Sequence, residues 1–203
     1  MPFEDQRSIS LAQPDEMIFI LVDVQQYFVD SAGTEVNSVL SRIKQMLLMA
    51  DVLEVPVIAT FEEPIERKGM LPDDMTPLFE RLHNAQSFPK LTYDLTATES
   101  IRSAIAGLQK TQCAVVGTET DVCVLQSVFG LLRMGLEVFV VEDCLLSSSP
   151  NIRPALKRMY GSGAIPTTWK SLYYELVKTD DFDNSLRDNS ALIRDGYVPP
   201  ENL

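Results

Sequence analysis

The sequence predicts a doubly wound, Rossmann-like α/β domain with a mainly parallel six-stranded sheet and helices on both faces. Three observations carry this. Apolar runs of strand length alternate with helix-like segments about six times. The runs are apolar throughout rather than every second residue, as in strands buried on both faces. Strand, helix and strand in succession make right-handed parallel crossovers the expected connection. At 203 residues a chain buries roughly 70% of its unfolded surface, enough for a sheet covered twice. One domain over residues 1–203 is expected, with a core of about 16–178, a polar lead-in over 1–15 and a peripheral tail over 179–203.

Met17 to Val22 (MIFILV) is the first strand and closes on Asp23. From Val36 to Leu53 the apolar positions Val36, Val39, Leu40, Ile43, Leu47 and Ala50 keep helical spacing, with Arg42, Lys44 and Gln45 between them. Val55 to Phe61 is the second strand. Glu62 to Ser87, with Pro64, Gly69, Pro72 and Pro77, is expected to be irregular, and a connection of that length suits a lid that sets specificity. Phe88 to Tyr93 is extended, because a residue before proline is pushed out of the helical region. Thr98 to Leu108 is a helix capped by Thr98, Gln112 to Val116 a buried strand, and Val122 to Met134 a buried helix ended by Gly135. Leu136 to Val141 is the next strand, followed by Glu142-Asp143-Cys144. Asn151 to Tyr160 is a helix, Ala164 to Thr168 a short strand and Ser171 to Val177 a last helix. The polar tail from Lys178, with Pro199 and Pro200, reads as peripheral or as an arm onto a neighbouring subunit.

Composition excludes several classes. Hydrophobic residues make 45% and charged residues 23%, as in an ordinary globular protein. The formal charge of -12, with no cluster of Lys and Arg, argues against nucleic acid as a partner. No run is long enough to span a membrane. The three cysteines, Cys113, Cys123 and Cys144, lack metal-ligand spacing and lie in or beside apolar runs, so reduced thiols are expected. The N-terminus has the features of neither a signal nor a transit peptide, which makes a cytoplasmic location the expectation. No GxGxxG or P-loop is present, and the single histidine, His83, has no matching ligands for a metal.

Three residues could carry chemistry. Cys123 follows the strand ending at Gly117 and opens a helix, with Thr120 or Asp121 as the cap; a helix N-terminus lowers a thiol pKa. The same position also suits a small core residue. Asp23 stands at the carboxyl end of a central strand, where open α/β sheets place ligands, or it caps the next turn. Lys90 is isolated in apolar company, which on its own suits a surface lysine laying its stem over apolar neighbours. Cys144 is a rival nucleophile but lacks the helix-opening sequence.

Asp23-Val24-Gln25, the isolated Lys90 and Gly117-Thr118-Glu119-Thr120-Asp121-Val122-Cys123-Val124 together closely resemble the isochorismatase-like cysteine hydrolases. The later segments Val140 to Asp143, Ala155 to Tyr160, Gly163-Ala164, Thr167 to Trp169 and Tyr174 to Leu176 resemble the C-terminal half of that family, so the similarity covers roughly residues 16 to 178. It implies a catalytic triad of Asp23, Lys90 and Cys123. Lys90 would favour the thiolate, and Asp23 would take the thiol proton and later activate water. It also implies a cis peptide at Thr118-Glu119, an oxyanion hole made by the backbone N–H groups of Glu119 and Cys123, a pocket-lining Phe28 and a homo-oligomer. Nicotinamidases of the family bind metal through an Asp-x-His after the second strand. Here the segment reads Ala59-Thr60-Phe61-Glu62-Glu63-Pro64, so no metal and no other cofactor is expected. The function expected is hydrolysis of a small amide or related carbonyl compound through a thioester. Vinyl-ether hydrolysis, or a binding protein with a vestigial site, are the alternatives.

Overall fold

A computed structural model describes residues 10–33 and 35–203, so the first nine residues of the lead-in lie outside the described residues. Strands β1 (Met17–Val22), β2 (Val57–Glu62), β3 (Ala85–Lys90), β4 (Gln112–Gly117), β5 (Glu137–Leu145) and β6 (Ile165–Thr167) form one sheet. Its order is β3-β2-β1-β4-β5-β6 and every pairing is parallel. The strand order reverses between β1 and β4, and side chains at the carboxyl ends of those two strands flank the crevice where such sheets bind ligands.

Both faces of β1 are buried, which is why its sequence is apolar without alternation. Met17, Phe19 and Leu21 face one layer with Val39, Ile43 and Met46 of helix α2 and Trp169 and Leu172 of the last core helix; short α1 (Gln26–Ser31) lies between β1 and α2 (Val36–Val52). Ile18, Ile20 and Val22 face the opposite layer, with Ile101 and Ile105 from one helix and Val128, Leu131 and Met159 from two others. Each such side chain contributes about 1.5–3 kcal/mol by leaving water.

The segment between β2 and β3 departs from expectation. It folds into α3 (Ile65–Lys68) and α4 (Thr76–Glu80), and it buries Leu71, Met75 and Leu82 in the first layer. Pro64, Pro72 and Pro77 break it into short turns without keeping it off the core. His83 is exposed just before β3, at the opposite end of that strand from Lys90.

Beyond β3 come α5 (Glu99–Gly107), α6 (Leu125–Arg133), α7 (Arg153–Gly161) and α8 (Trp169–Val177). Strand β5 runs through Glu142, Asp143 and Cys144 rather than stopping at Val141, because its pairing with β4 shifts register after Val115 and resumes at Gly117 and Leu145.

The tail is a packed part of this chain. Helices α9 (Asp180–Arg187) and α10 (Ser190–Arg194) bury Leu186 and Leu192 in the first layer, and Tyr197 follows them into it. Buried Gln45 of α2 receives the end of the tail, donating from Nε2 to Gly196 O (3.0 Å) and accepting from Val198 N–H (2.9 Å).

Candidate active site

Asp23 follows β1 with a left-handed backbone (φ 48°), a conformation that is uncommon without glycine. It is held there from both sides. Its N–H donates to Thr60 O (3.1 Å), while its carbonyl accepts from Gln25 N–H (2.7 Å) and from the Thr118 hydroxyl (2.6 Å). The result turns the carboxylate into the sheet's crevice, where it is fully buried.

Lys90 is the last residue of β3 and is also buried, its Nζ 2.6 Å from Asp23 Oδ2. Thr60 Oγ1 donates to the other carboxylate oxygen at 2.8 Å, and Lys90 Nζ donates to Thr92 O at 3.0 Å. Burial pushes the Asp23 carboxyl above its ordinary value, against the opposing charge and hydrogen bond of Lys90 and the Thr60 hydroxyl.

Cys123 is nearly sealed at the end of β4. The turn carrying it, Thr120–Val124, is a π turn that leads into α6, so Cys123 is not in the first turn of an α-helix, and the turn has no side-chain cap. Its Sγ donates to Glu62 Oε2 at 3.2 Å. Donor atoms of Asp23, Glu62 and Cys123 lie within 4.8 Å of one another. Here the expected lowered thiol pKa is corrected. Burial pushes the thiol up, and the charge of Asp23 and the hydrogen bond to Glu62 push it further, with only Lys90 opposing them. Cys123 is thus placed as a hydrogen-bond donor to Glu62.

The expected cis bond is corrected as well. Among the described residues the cis peptide is Glu63-Pro64, and Thr118-Glu119 is not cis. The bend is made instead by Gly117 (φ 119°) and locked in an extended course. Thr118 N–H donates to Val22 O (2.8 Å), and Thr120 N–H to Leu146 O (3.0 Å). Between these two anchored residues, Glu119 N–H has no acceptor among the described residues, while the Glu119 carboxylate is engaged by Ser147 and Ser148. Phe28 of α1 is half-buried near the site, its ring centroid 5.6 Å from Lys68 Nζ.

Sequence reasoning leaves open whether Glu62 contributes to the site, and it misses Lys68. Glu62 ends β2 directly opposite Lys90 in the β2/β3 register and carries the same signal that marked Asp23, a carboxylate at a strand's carboxyl end. Lys68 is buried, ion-paired with Glu62 Oε1, and donates to Glu63 O at 2.8 Å. Nothing local in the sequence distinguishes it from a solvated lysine of a short helix. Burial acts to raise the Glu62 carboxyl, but hydrogen bonds from Lys68 and Cys123 outweigh it and hold the group below its ordinary value. Gln25 clamps the pair: its Nε2 donates to Glu62 O (3.2 Å) and Gly69 O (2.8 Å), and its Oε1 accepts from Glu62 N–H (2.7 Å).

Asp23, Glu62 and Cys123 are a possible cation-binding set, yet each carboxylate already carries a buried ammonium, Lys90 or Lys68. A divalent ion would have to displace both, so the donor set does not fit a resident metal. An open cleft of about 580 Å³ lies beside the site, lined by Glu63, Pro64, Pro89, Lys90, Leu91, Thr92 and Thr98.

Nucleotide-binding proteins share this strand order, but here the switch point is filled by reactive side chains instead of a phosphate-cradling loop. That defines an α/β protein with Asp23, Glu62, Lys90 and Cys123 gathered at its switch point. Residues 17–171 match the Isochorismatase domain, and the chain belongs to the isochorismatase family of hydrolases. It is 31% identical to isochorismatase family protein 1B of Dictyostelium discoideum over 85% of this chain and 84% of the relative. It is 29% identical to the secreted isochorismatase effector Isc1 of Phytophthora sojae, over 90% and 86%. Among solved structures, the MAR1 ribonuclease of Caenorhabditis elegans superposes with a TM-score of 0.79 at 25% identity, covering 94% of this chain and 98% of that one. The YcaC gene product of Escherichia coli, described as an octameric hydrolase of unknown specificity, gives 0.80 at 21% over 91% and 90%. Among the described residues no helix is long and apolar enough to cross a membrane.

Proposed function

We propose that this chain is a cysteine-dependent hydrolase of a small amide or related carbonyl compound, working without metal or other cofactor through a thioester. The supporting observation is that strands β1, β3 and β4 bring Asp23, Lys90 and Cys123 to one buried point beside an open cleft. Cys123 Sγ would add to the substrate carbonyl carbon, and its proton would pass to a site carboxylate. The backbone N–H groups of Glu119 and Cys123 would receive the oxyanion; one such donor is worth about 3 to 4 kcal/mol in a transition state. Loss of the amine leaves a thioester, which Asp23 would resolve by activating water, with Lys90 holding its carboxylate in place. Phe28 would line the acyl pocket. Nicotinamide is not favoured, because the Asp-x-His of nicotinamidases is replaced by Phe61-Glu62-Glu63. The net charge of -12 does not favour RNA. A homo-oligomer in the cytoplasm, its three buried cysteines reduced, belongs to the same proposal.

The test is a hydrolysis screen over small amides, ureido acids and nicotinamide, with and without chelator, on wild type and Cys123→Ala. Turnover that survives chelator and vanishes in Cys123→Ala supports the proposal. Chelator-sensitive turnover sinks the metal-free claim.

One observation favours a second chemistry. Cys123 Sγ donates to Glu62 Oε2 at 3.2 Å, which suits vinyl-ether hydrolysis in which it is no nucleophile. Retained activity in Cys123→Ala together with loss in Asp23→Ala would select it.

A further inference from the structure

We infer that Glu62 is the catalytic residue that takes the Cys123 thiol proton and returns it to the leaving amine, with Lys68 as its positioning residue; this rests on the cysteine-hydrolase proposal above. The thiol already points its proton at Glu62 Oε2, 3.2 Å away. Asp23 also faces the thiol, but both of its oxygens are already held, one by Lys90 at 2.6 Å and the other by Thr60 at 2.8 Å, in a position closed to solvent. Glu62 divides its oxygens differently: Oε1 is tied to Lys68, and Oε2 is left for sulfur.

The carboxylate is also built to stay put. Gln25 grips the Glu62 backbone on both its N–H and its carbonyl. Lys68 is fixed by Glu63 O and lies against the Phe28 ring. The charged and titratable groups facing Glu62 are therefore Lys68, Lys90, Asp23 and Cys123, with Glu63 adjacent in the chain. Two ammoniums against two carboxylates leave the cluster near neutrality, so moving one proton from sulfur to Glu62 needs no other ion. Glu62 is half-buried, so its proton can exchange with solvent between turnovers, which a sealed Asp23 cannot do as readily.

In the acylation step the S–C bond forms as the thiol proton moves to Glu62 Oε2 and the carbonyl π pair moves onto oxygen. When that pair returns, the C–N bond breaks and its electrons leave on nitrogen. Nitrogen takes the proton from Glu62, which ends as carboxylate beside a thioester and a neutral amine.

Glu62→Gln tests this with two readouts that should part company. Amide turnover near neutral pH should fall about 100-fold or more, the size expected for removing a general base. The pH midpoint for iodoacetamide alkylation of Cys123 should move down by about one unit or more, since a neighbouring negative charge is gone and the Lys68 charge is freed. A merely structural role would not combine a lower midpoint, and so more thiolate, with a lower turnover. Glu62→Asp should recover part of the turnover with a midpoint near wild type. In Lys68→Met the acid limb of kcat/KM should shift to higher pH, because Glu62 loses the cation that keeps it ionised; these two variants carry the test if Glu62→Gln does not fold. Turnover within about threefold of wild type, or an unmoved midpoint, in folded Glu62→Gln overturns the assignment. The alkylation arm needs no substrate. Absence of wild-type turnover therefore removes the hydrolase proposal and the amine step, whereas an unmoved midpoint removes Glu62 even where wild-type turnover stands.

Discussion

Lys90 Nζ lies 2.6 Å from Asp23 Oδ2, and both side chains are shut off from solvent. Two strands that are not neighbours, β1 and β3, are thus joined at their carboxyl ends by an ion pair laid across the end of β2. Removing one partner of a buried pair leaves a charge with nothing to compensate it. Lys90→Met should lower the unfolding free energy near neutral pH by about 3–5 kcal/mol in urea titrations. The loss should shrink on acidification. Without Lys90 the Asp23 carboxyl is raised further above its unfolded value, so its stability contribution is present at low pH and declines as pH rises. Asp23→Asn in the Lys90→Met background should restore much of the loss at neutral pH while activity stays absent. A loss that is the same at acid and neutral pH would show that packing, not charge, is the cause.

Gly117 makes the bend between β4 and the Cys123 turn possible. A Cβ there would sit 2.1 Å from the carbonyl oxygen of Val22, at a φ of 119°. Backbone cannot retreat as a flexible side chain can, because Val22 O also accepts the Thr118 N–H. Gly117→Ala should cost at least about 2 kcal/mol, from strain alone before the clash is counted. Gly107, exposed at the end of α5 with nothing near its Cβ position, is the contrasting case. Gly107→Ala should stabilise by up to about 1 kcal/mol. Thermal denaturation of the two variants checks both signs, and an unaffected Gly117→Ala would mean the bend can be made another way.

The sheet was legible because its strands are buried on both faces, so each announces itself as an unbroken apolar run; β1 and β4 fall within a residue of their expected ends. The chemistry at strand ends was legible for Asp23 and Cys123 for the same reason, since the run marks where the crevice must be. Two things escaped. The conformation of Thr118 to Val124 depends on Val22, Asp23 and Leu146, all distant in sequence, so neither the π turn nor the peptide geometry has a local signature. Whether the Cys123 thiol is raised or lowered depends on counting carboxylates against ammoniums in three dimensions. Glu62 tips that count, and the sequence alone leaves open whether Glu62 belongs to the site.

The packing of the tail is illegible for a related reason. Its apolar residues, Phe182, Leu186, Leu192 and Tyr197, are spread thinly among acidic ones, yet they converge on one seam. There Tyr173 donates to Asp183 Oδ1 (2.7 Å) and shares a 2.6 Å hydrogen bond with Tyr197, while Arg187 Nε lies 2.8 Å from Asp183 Oδ2. Asp183→Ala should cost about 1–3 kcal/mol, the penalty for buried polar groups stripped of a partner. Burial pushes both phenols above their ordinary value, and for Tyr173 the hydrogen bonds to Tyr197 and Asp183 add to it. A raised folded-state value means stability that is present below the unfolded phenol pKa of about 10 and is lost as pH climbs above it. Melting temperature should therefore fall in strong alkali, and part of that fall should disappear in the Tyr173→Phe/Tyr197→Phe double variant. An identical alkaline profile in the double variant would place the sensitivity elsewhere.

The three thiols are all buried, but their surroundings differ in a way alkylation can read. Cys113 lies inside β4 against the second apolar layer, where burial alone pushes its thiol up. Cys144 lies inside β5, where burial and the neighbouring Asp143 charge both raise it and Arg42 only partly offsets them. Cys123 differs in its access, because the Lys90 side of its site opens onto the cleft bounded by Pro64, Pro89 and Leu91. Thiolate fraction and access together decide the rate. Iodoacetamide on the native protein should modify Cys123 at least about tenfold faster than the other two, which should react only once urea unfolds the chain. Peptide mapping of a time course gives the order directly. Label arriving first on Cys144 would mean that the end of β5, and not the turn after β4, is where this sheet exposes its reactive sulfur.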